Sequence, residues 1–394
     1  MATTKFCEDV LKGLNNNDPS CAILLDLSKA FDSVNRKILL FKLYKYGIRG
    51  SAYNLLQSYL SNRKQFIKVG NIKSNYCDVE VGLPQGSIIS PLLFLILIND
   101  LKNCTNLQVI NFADDTLIYH KINDPTNINL YINMEFDKVK QWMSANHLRI
   151  NYSKTKHIIF STNSSKLSLF NKISIKGDNN NVIERVEDCK YLGIFLDEKL
   201  TWKKHIEHIM KKLSKTIGVF YRIRRLLNKS SLVLILKSLF ITHLKYGILC
   251  YGRANKTNLK PLNILFNRAL RCINFYKQKE IRVSQLYTDQ QVLTLDNMFT
   301  LEIAKFSYKF KNNKLPSSFD HIFTETSAIH NHNTRTSNNF FQNRQLRQFG
   351  FNSVTHIGTK IWNKIPTQIQ SQKNYSLFCS KFKKHLLQKH LYEG

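Results

Sequence analysis

The chain has 394 residues, with 58 Lys and Arg against 27 Asp and Glu, for a formal net charge of +31. An apolar share of 43% excludes a disordered polycation, and the length exceeds one ordinary core, so two or three domains are expected. The charge calls for a polyanionic partner, either nucleic acid or an acidic membrane surface. The 8 cysteines show no C-x-x-C pair, which points to reduced thiols in an intracellular, non-secreted protein. The opening "MATTKFCEDVLKG" has no hydrophobic signal core. The most apolar run, "PLLFLILI" at 91–98, is too short to cross a bilayer.

In chain order, "CAILLDL" at 21–27 reads as a buried strand. Asp32 and Ser33 are candidate N-caps for a helix over "VNRKILLFKLYKY" that stops at Gly47. "SAYNLLQSYLSNR" predicts a second helix, and "KQFIKVGNIKSNYCDVEV" a strand pair turning at Gly70-Asn71. "GLPQGS" at 82–87 is a loop, and Ser90-Pro91 opens a helix with serine as its cap. That helix is apolar all round and is expected to be buried. "LQVINFADDTLIYHK" at 107–121 is an apolar hairpin with two acids at its turn. A helix near 126–145, a strand at 157–161 and a strand or hairpin over 188–200 follow. Beyond Trp202 the hydrophobic period becomes helical through 313. Residues 314–345 read as a polar linker, and a last basic helix lies near 374–391. The expected fold class is α+β, a sheet packed on helices up to about residue 200 and then a mainly helical region.

Asp114 and Asp115 attract attention because adjacent carboxylates repel and neither is a favoured two-residue hairpin turn residue. A solvated Asp-Asp turn is the plain alternative. Asp26 ends an otherwise apolar strand, where a carboxylate needs a cation or a capping role. If the two strands are neighbours, the three acids converge into a site for two Mg²⁺ ions about 4 Å apart, the arrangement used in phosphoryl transfer. In "GLPQGS", Gly82 and Gly86 permit close backbone approach, and Gln85 offers an amide. Alone, that stretch is a tight loop before a helix.

"LLDLSKAFDSV", "GLPQGSIISPLLF" and "FADDT", in that order, resemble motifs A, B and C of reverse transcriptases. The wording is similar to the non-LTR, LINE-type, jockey-like retrotransposon branch. "LRINYSKTKHIIF" resembles motif D and "YLGIFLDEKLTW" the primer-grip motif E, while "HLKYGILCYG", "LFNRALRCI" and "IWNKIP" fit the branch's C-terminal region. The resemblance implies a polymerase palm over 1–200 with its fingers largely missing, a helical basic thumb over 201–313, the linker over 314–345 and a C-terminal basic helical segment over 346–394. It implies an RNA-directed DNA polymerase acting on an RNA template, a DNA primer and deoxynucleoside triphosphates. Asp26, Asp114 and Asp115 would be catalytic and bind two Mg²⁺. Phe31 would lie under the incoming sugar, or be an ordinary core phenylalanine. Gln85 and Gly86 would line the nucleotide and template pocket. Lys154 or Lys156 would protonate the departing pyrophosphate, or touch phosphate, or be solvated. Phe112 stands where the family more often has tyrosine. Only 25 residues precede Asp26, fewer than the family's fingers require. Exposed apolar faces on the first strands are therefore expected, and a catalytically silent nucleic-acid-binding remnant is the alternative function.

His205 and His208, three apart on a predicted helix among lysines, suit a nucleic-acid-facing surface better than a metal pair. His330 and His332 read as solvated. The basic "YRIRRLLNK" would contact phosphates.

Overall fold

The computed structural model describes residues 1–122, 126–162, 170, 173–178, 181–274, 282–329 and 339–392. His330 and His332 lie outside these. The described chain divides into two compact units. One holds Asp18–Cys189 with Ala2, and the other holds Met1, Thr3–Asn17 and Lys190–Gly394.

The first unit is built on a six-stranded sheet. Helix α1 (Ala2–Asn15) precedes β1 (Ser20–Leu25), and α2 (Arg36–Lys45) and α3 (Gly50–Leu60) follow. Four two-residue strands come next: β2 (Lys64–Gln65), β3 (Lys68–Val69), β4 (Ile72–Lys73) and β5 (Cys77–Asp78). Then come α4 (Ser90–Ile98), β6 (Gln108–Phe112), β7 (Asp115–Lys121), α5 (Ile128–Ala145) and β8 (Lys156–Phe160). Strands β9 (Ile175–Lys176) and β10 (Val182–Arg185) complete the sheet, whose order is β6-β7-β1-β8-β10-β9. All neighbours are antiparallel except β8 and β10. The central position of β1 explains its continuous apolar run, because a strand with neighbours on both edges and cover on both faces has no place for charge.

Cys21, Ile23 and Leu25 face a core made with Leu39 and Leu43 of α2, Leu93, Phe94 and Leu97 of α4, and Phe136 and Val139 of α5. The apolar exposure expected on the first strands is not seen on β1, where five of six residues are buried and Leu24 is half-buried, but it is seen on β3 and β4, where Val69 is 73% and Ile72 79% exposed. Lys42 ties the layers together. Its ammonium donates to the Leu97 carbonyl at 2.7 Å and to Asp100 at 2.6 Å, and lies 4.6 Å from the centre of the Trp142 ring.

Three local expectations are corrected. The cap of α2 is Asn35, whose side chain accepts from the Lys37 and Ile38 amides; neither Asp32 nor Ser33 caps it. The Ser90 hydroxyl does not cap α4 but donates to the Pro84 carbonyl at 2.8 Å, fastening the preceding loop. Helix α4 is not buried all round: Leu92 is 58% and Leu95 43% exposed, because the core contacts only one side of it. The Gly70-Asn71 turn is observed between β3 and β4.

The second unit is almost wholly helical. The boundary falls inside β11 (Asp188–Tyr191), which pairs with β12 (Ile194–Asp197), the last strand among the described residues. After it come α6 (Lys203–Ile223), α7 (Lys256–Ile273), α8 (Leu295–Lys311), α9 (Val354–Trp362) and α10 (Tyr375–Tyr392), with shorter helical turns between them. Helix α1 belongs here. It buries Phe6, Val10, Leu11 and Leu14 on one stripe, and its buried Glu8 accepts from the Val354 and Thr355 amides at 2.7 and 3.0 Å. A carboxylate at the first turn of α9 satisfies orphan donors and suits the helix dipole. The stretch read as a polar linker supplies Phe319, Phe323 and Phe340 to this core, and Phe323 and Phe340 stack at 4.6 Å.

Glu135 of α5 holds the approach to β6. Buried from solvent, it accepts from the Thr105 hydroxyl at 2.9 Å, the Asn106 amide at 2.7 Å and the Lys138 ammonium at 2.6 Å. Burial by itself raises its pKa, but these donors outweigh it and hold the carboxyl down from 4.5 to about 2. A depressed carboxylate contributes stability above its unfolded pKa and loses it as pH falls through the folded value. Stability of this unit is therefore expected to decline between pH 4.5 and about 2. Glu135→Gln should flatten that decline and cost about 1–3 kcal/mol at neutral pH. Urea unfolding at a series of pH values measures both.

Candidate active site

The acidic hairpin is the first element. Phe112 pairs with Asp115, so the two turn residues are Ala113 and Asp114, and Asp115 is the first residue of β7. Ala113 carries φ +53, an uncommon conformation outside glycine that makes the turn tight. The sequence reading of both acids as turn residues is thus corrected by one position.

Register then places Asp26. Leu24 opposes Leu117 and Leu25 opposes Thr116, so the next pair along is Asp26 and Asp115. Directly opposed residues have Cβ atoms about 4.5–5.5 Å apart, and Asp114 is one Cα step of about 3.8 Å further. The Cα atoms of Asp26 and Asp114 therefore fall within about 10 Å of each other. Side-chain alternation turns Asp26 and Asp115 away from the core face of Leu25, toward the other face of the sheet. Asp26 is half-buried, and Asp114 and Asp115 are exposed.

Asp26 is latched through its backbone. Its amide donates to the Thr155 hydroxyl at 3.2 Å, and its carbonyl accepts from the Asn151 amide at 2.9 Å. Electrostatics reflect the convergence: the Asp115 carboxyl is pushed above its ordinary range by desolvation, then by the charge of Asp114, then by that of Asp26. As placed, no three His, Cys, Asp or Glu side chains among the described residues enclose a metal ion. The donor set is nonetheless three hard oxygen ligands in mutual repulsion, which suits Mg²⁺ by chemistry.

The glycine loop lies against the segment after β1. The Gly82 amide donates to the Val34 carbonyl at 2.8 Å and the Leu83 amide to the Phe31 carbonyl at 2.9 Å. Gln85 donates its side-chain amide to Asp32 at 2.8 Å. Gly82 has φ +87, and a Cβ there would meet the Asp32 carbonyl oxygen at 2.7 Å, whereas Gly86, at φ +82, faces open space. The Phe31 ring is half-buried and stacks on Phe94 at 4.7 Å.

Sequence reasoning missed Arg36. Its buried guanidinium donates to the Gly82 carbonyl at 2.8 Å, the Val81 carbonyl at 3.2 Å and the Val79 carbonyl, fixing the segment that enters the loop. The available signal was one arginine within an apolar helical pattern. Thr155 was missed as well, and nothing in its sequence context marks it.

The two candidate lysines differ. Lys156 lies within β8 and is ion-paired with Glu184 of β10, while Lys154 is exposed in the turn that latches Asp26. A cavity of about 1070 Å³ in this unit, lined by residues such as Lys29, Asp32, Lys140, Arg149 and Asp178, includes none of the three acids. The acids lie instead at the end of β1 and β7, where Asp114 and Asp115 are exposed and Asp26 is half-buried. His205 of α6 turns inward, 5.1 Å from the Tyr251 ring, which corrects its reading as a nucleic-acid-facing residue; burial, then His208 and Lys212, lower its pKa to about 4.

Residues 3–196 match the family described as reverse transcriptase (RNA-dependent DNA polymerase). This part of the chain belongs to the reverse transcriptase family. The chain is 28% identical over 275 residues to the RNA-directed DNA polymerase from mobile element jockey of Drosophila melanogaster, covering 67% of this chain and 29% of that protein. It is 25% identical over 325 residues to the probable RNA-directed DNA polymerase from transposon BS of the same fly, covering 78% of this chain and 34% of that one. The chain thus spans about a third of the length of these relatives. A structure of telomerase from Candida albicans aligns with a TM-score of 0.35 at 12% identity, over 81% of this chain and 52% of that one. Reverse transcriptases use divalent metal ions, in keeping with the donor set found here. No helix among the described residues is long and apolar enough to cross a membrane.

Gly82→Ala and Gly86→Ala separate conformation from space. Both incur the left-handed penalty of about 1–2 kcal/mol. Only Gly82→Ala also drives a Cβ into backbone, so it should cost clearly more and loosen the 82–86 loop. Denaturant unfolding with amide exchange of that loop distinguishes the two.

Proposed function

We propose that the chain is the RNA-directed DNA polymerase domain of a non-LTR retrotransposon, extending a DNA primer on an RNA template by phosphoryl transfer. The observation that carries this reading is the alignment of Asp26 with Asp115 at the end of β1 and β7, with Asp114 adjacent and the charges of both Asp114 and Asp26 felt at Asp115. Two Mg²⁺ ions held by Asp26, Asp114 and Asp115 would supply charge neutralisation at the primer 3′-hydroxyl and at the departing pyrophosphate.

The chain's own groups do the positioning. Thr155 and Asn151 hold the backbone of Asp26 from both sides. The tight turn at Ala113 fixes Asp114 relative to Asp115. Phe31, braced by Phe94, serves as the aromatic floor for the incoming sugar. Gln85 and Gly86 line the nucleotide and template pocket, on a loop set by Arg36. Lys154 is assigned as the proton donor to pyrophosphate because Lys156 is engaged by Glu184. The helical region over 201–313 carries the basic thumb, in which the Lys and Arg side chains of 221–229 bind phosphates without reading bases.

Asp114→Asn with Asp115→Asn tests the assignment. Primer extension on an RNA template with Mg²⁺ should fall at least about a hundredfold, while template-primer binding stays equal or tightens slightly because negative charge is removed. If the double variant matches the unsubstituted chain in both assays, the metal-site assignment is wrong.

A further inference from the structure

The helical unit contains a second constellation that the polymerase reading does not use. A cavity of about 620 Å³ opens between the start of α7, the turn before α9 and α9 itself. This lies within the 300–1,000 Å³ usual for small-ligand sites. Arg253, Lys256, Lys260 and Lys360 line it, all exposed, and Asp296 is the one acid among its lining residues. Four cations against one carboxylate repel one another and favour an anionic guest.

A second observation points to the same place. His356 also lines the cavity and is only 4% exposed, yet neither of its ring nitrogens has a hydrogen-bond partner. Buried polar atoms are ordinarily paired, so an unmatched ring in a cavity wall marks a place where a guest supplies the partner. Burial, then Lys360 and Arg253, lower its pKa, so at neutral pH it offers one donor and one acceptor. The N-terminus of α9 is not the source of attraction, since Ser353 and Glu8 already occupy its first amides.

The third feature is aromatic. Phe351 is 42% exposed in the cavity wall, with the His356 ring edge-on to it at 5.1 Å. A free phosphate has no use for a ring face, whereas a nucleotide does. Cations for the backbone together with an aromatic platform are how single strands are held without sequence preference.

We propose that this cavity binds a segment of single-stranded nucleic acid, with phosphates on Arg253, Lys256, Lys260 and Lys360, a base on Phe351, and His356 hydrogen-bonded to the strand. The proposal rests on the polymerase reading only for the identity of the polyanion.

The test uses the full chain carrying Asp114→Asn and Asp115→Asn, so that binding is read without chemistry. Affinity for a fluorescent oligouridine strand is measured across a salt series. Lys256→Ala, Lys260→Ala and Lys360→Ala together should weaken binding at least about tenfold and reduce the salt slope by about 2, at roughly 0.7 per phosphate contact. Lys314→Ala, Lys364→Ala and Lys373→Ala remove the same charge from exposed positions outside the cavity and should change affinity by no more than about twofold. Phe351→Ala should weaken binding at least about fivefold with the slope unchanged. Equal losses from the two lysine triples would overturn the proposal, as would an unaffected Phe351→Ala. Inorganic tripolyphosphate should compete poorly; if it displaces the strand as well as unlabelled oligouridine does, the cavity takes small phosphates and the strand proposal fails. Failure of primer extension with these binding results intact would count against the polymerase reading alone.

Discussion

The repulsion among three carboxylates is the constraint on which the sheet-bearing unit turns. Leu25 faces Thr116, so Asp26 must fall beside Asp115, and a one-residue slip would send it into the apolar core. Without a cation the arrangement is unfavourable: the Asp115 carboxyl is raised by desolvation and by its two acidic neighbours. A group raised in this way favours folding at low pH, and that contribution is lost as pH rises through its folded value. The surrounding structure must therefore hold the acids together against their own charge. It does so with β1 paired on both edges, with the Thr155 and Asn151 latch on Asp26, and with Glu135 fastening the segment that feeds the hairpin.

The two units meet different demands. The sheet unit fixes a few side chains closely. It uses a tight Ala113 turn and a glycine with no room for a Cβ at Gly82 to do so. Such departures from local preference are typical of functional sites. The helical unit gathers aromatic residues inside, among them Phe323, Phe340 and Trp362, and carries lysine and arginine outside.

Much of this is legible in the sequence because it rests on period and order. The run at 21–27, the 126–145 helix and the change to helical spacing after Trp202 all correspond to observed elements. The order of the motifs is enough to group Asp26, Asp114 and Asp115. What is not legible depends on contacts distant in sequence. Asn35 takes the cap for which Asp32 and Ser33 are the sequence candidates, while Asp32 accepts from Gln85, 53 residues on. Nothing in the helical pattern around Arg36 singles out its partners, but three carbonyls of the 79–82 segment receive it. Composition alone makes 314–345 a linker, although three of its phenylalanines pack into the core. In α4 the uniform apolar sequence hides which side meets the core, and Leu92 and Leu95 are left outside.

The central claim is that Asp26, Asp114 and Asp115 share one electrostatic site. Carbon-detected NMR titration of the Asp115 carboxyl, compared between the unsubstituted chain and Asp26→Asn, tests it most directly. The account predicts a pKa above the ordinary aspartate range that falls when Asp26 loses its charge, and falls further when Mg²⁺ is added to the unsubstituted chain. An ordinary Asp115 pKa, unmoved by Asp26→Asn and by Mg²⁺, would contradict it.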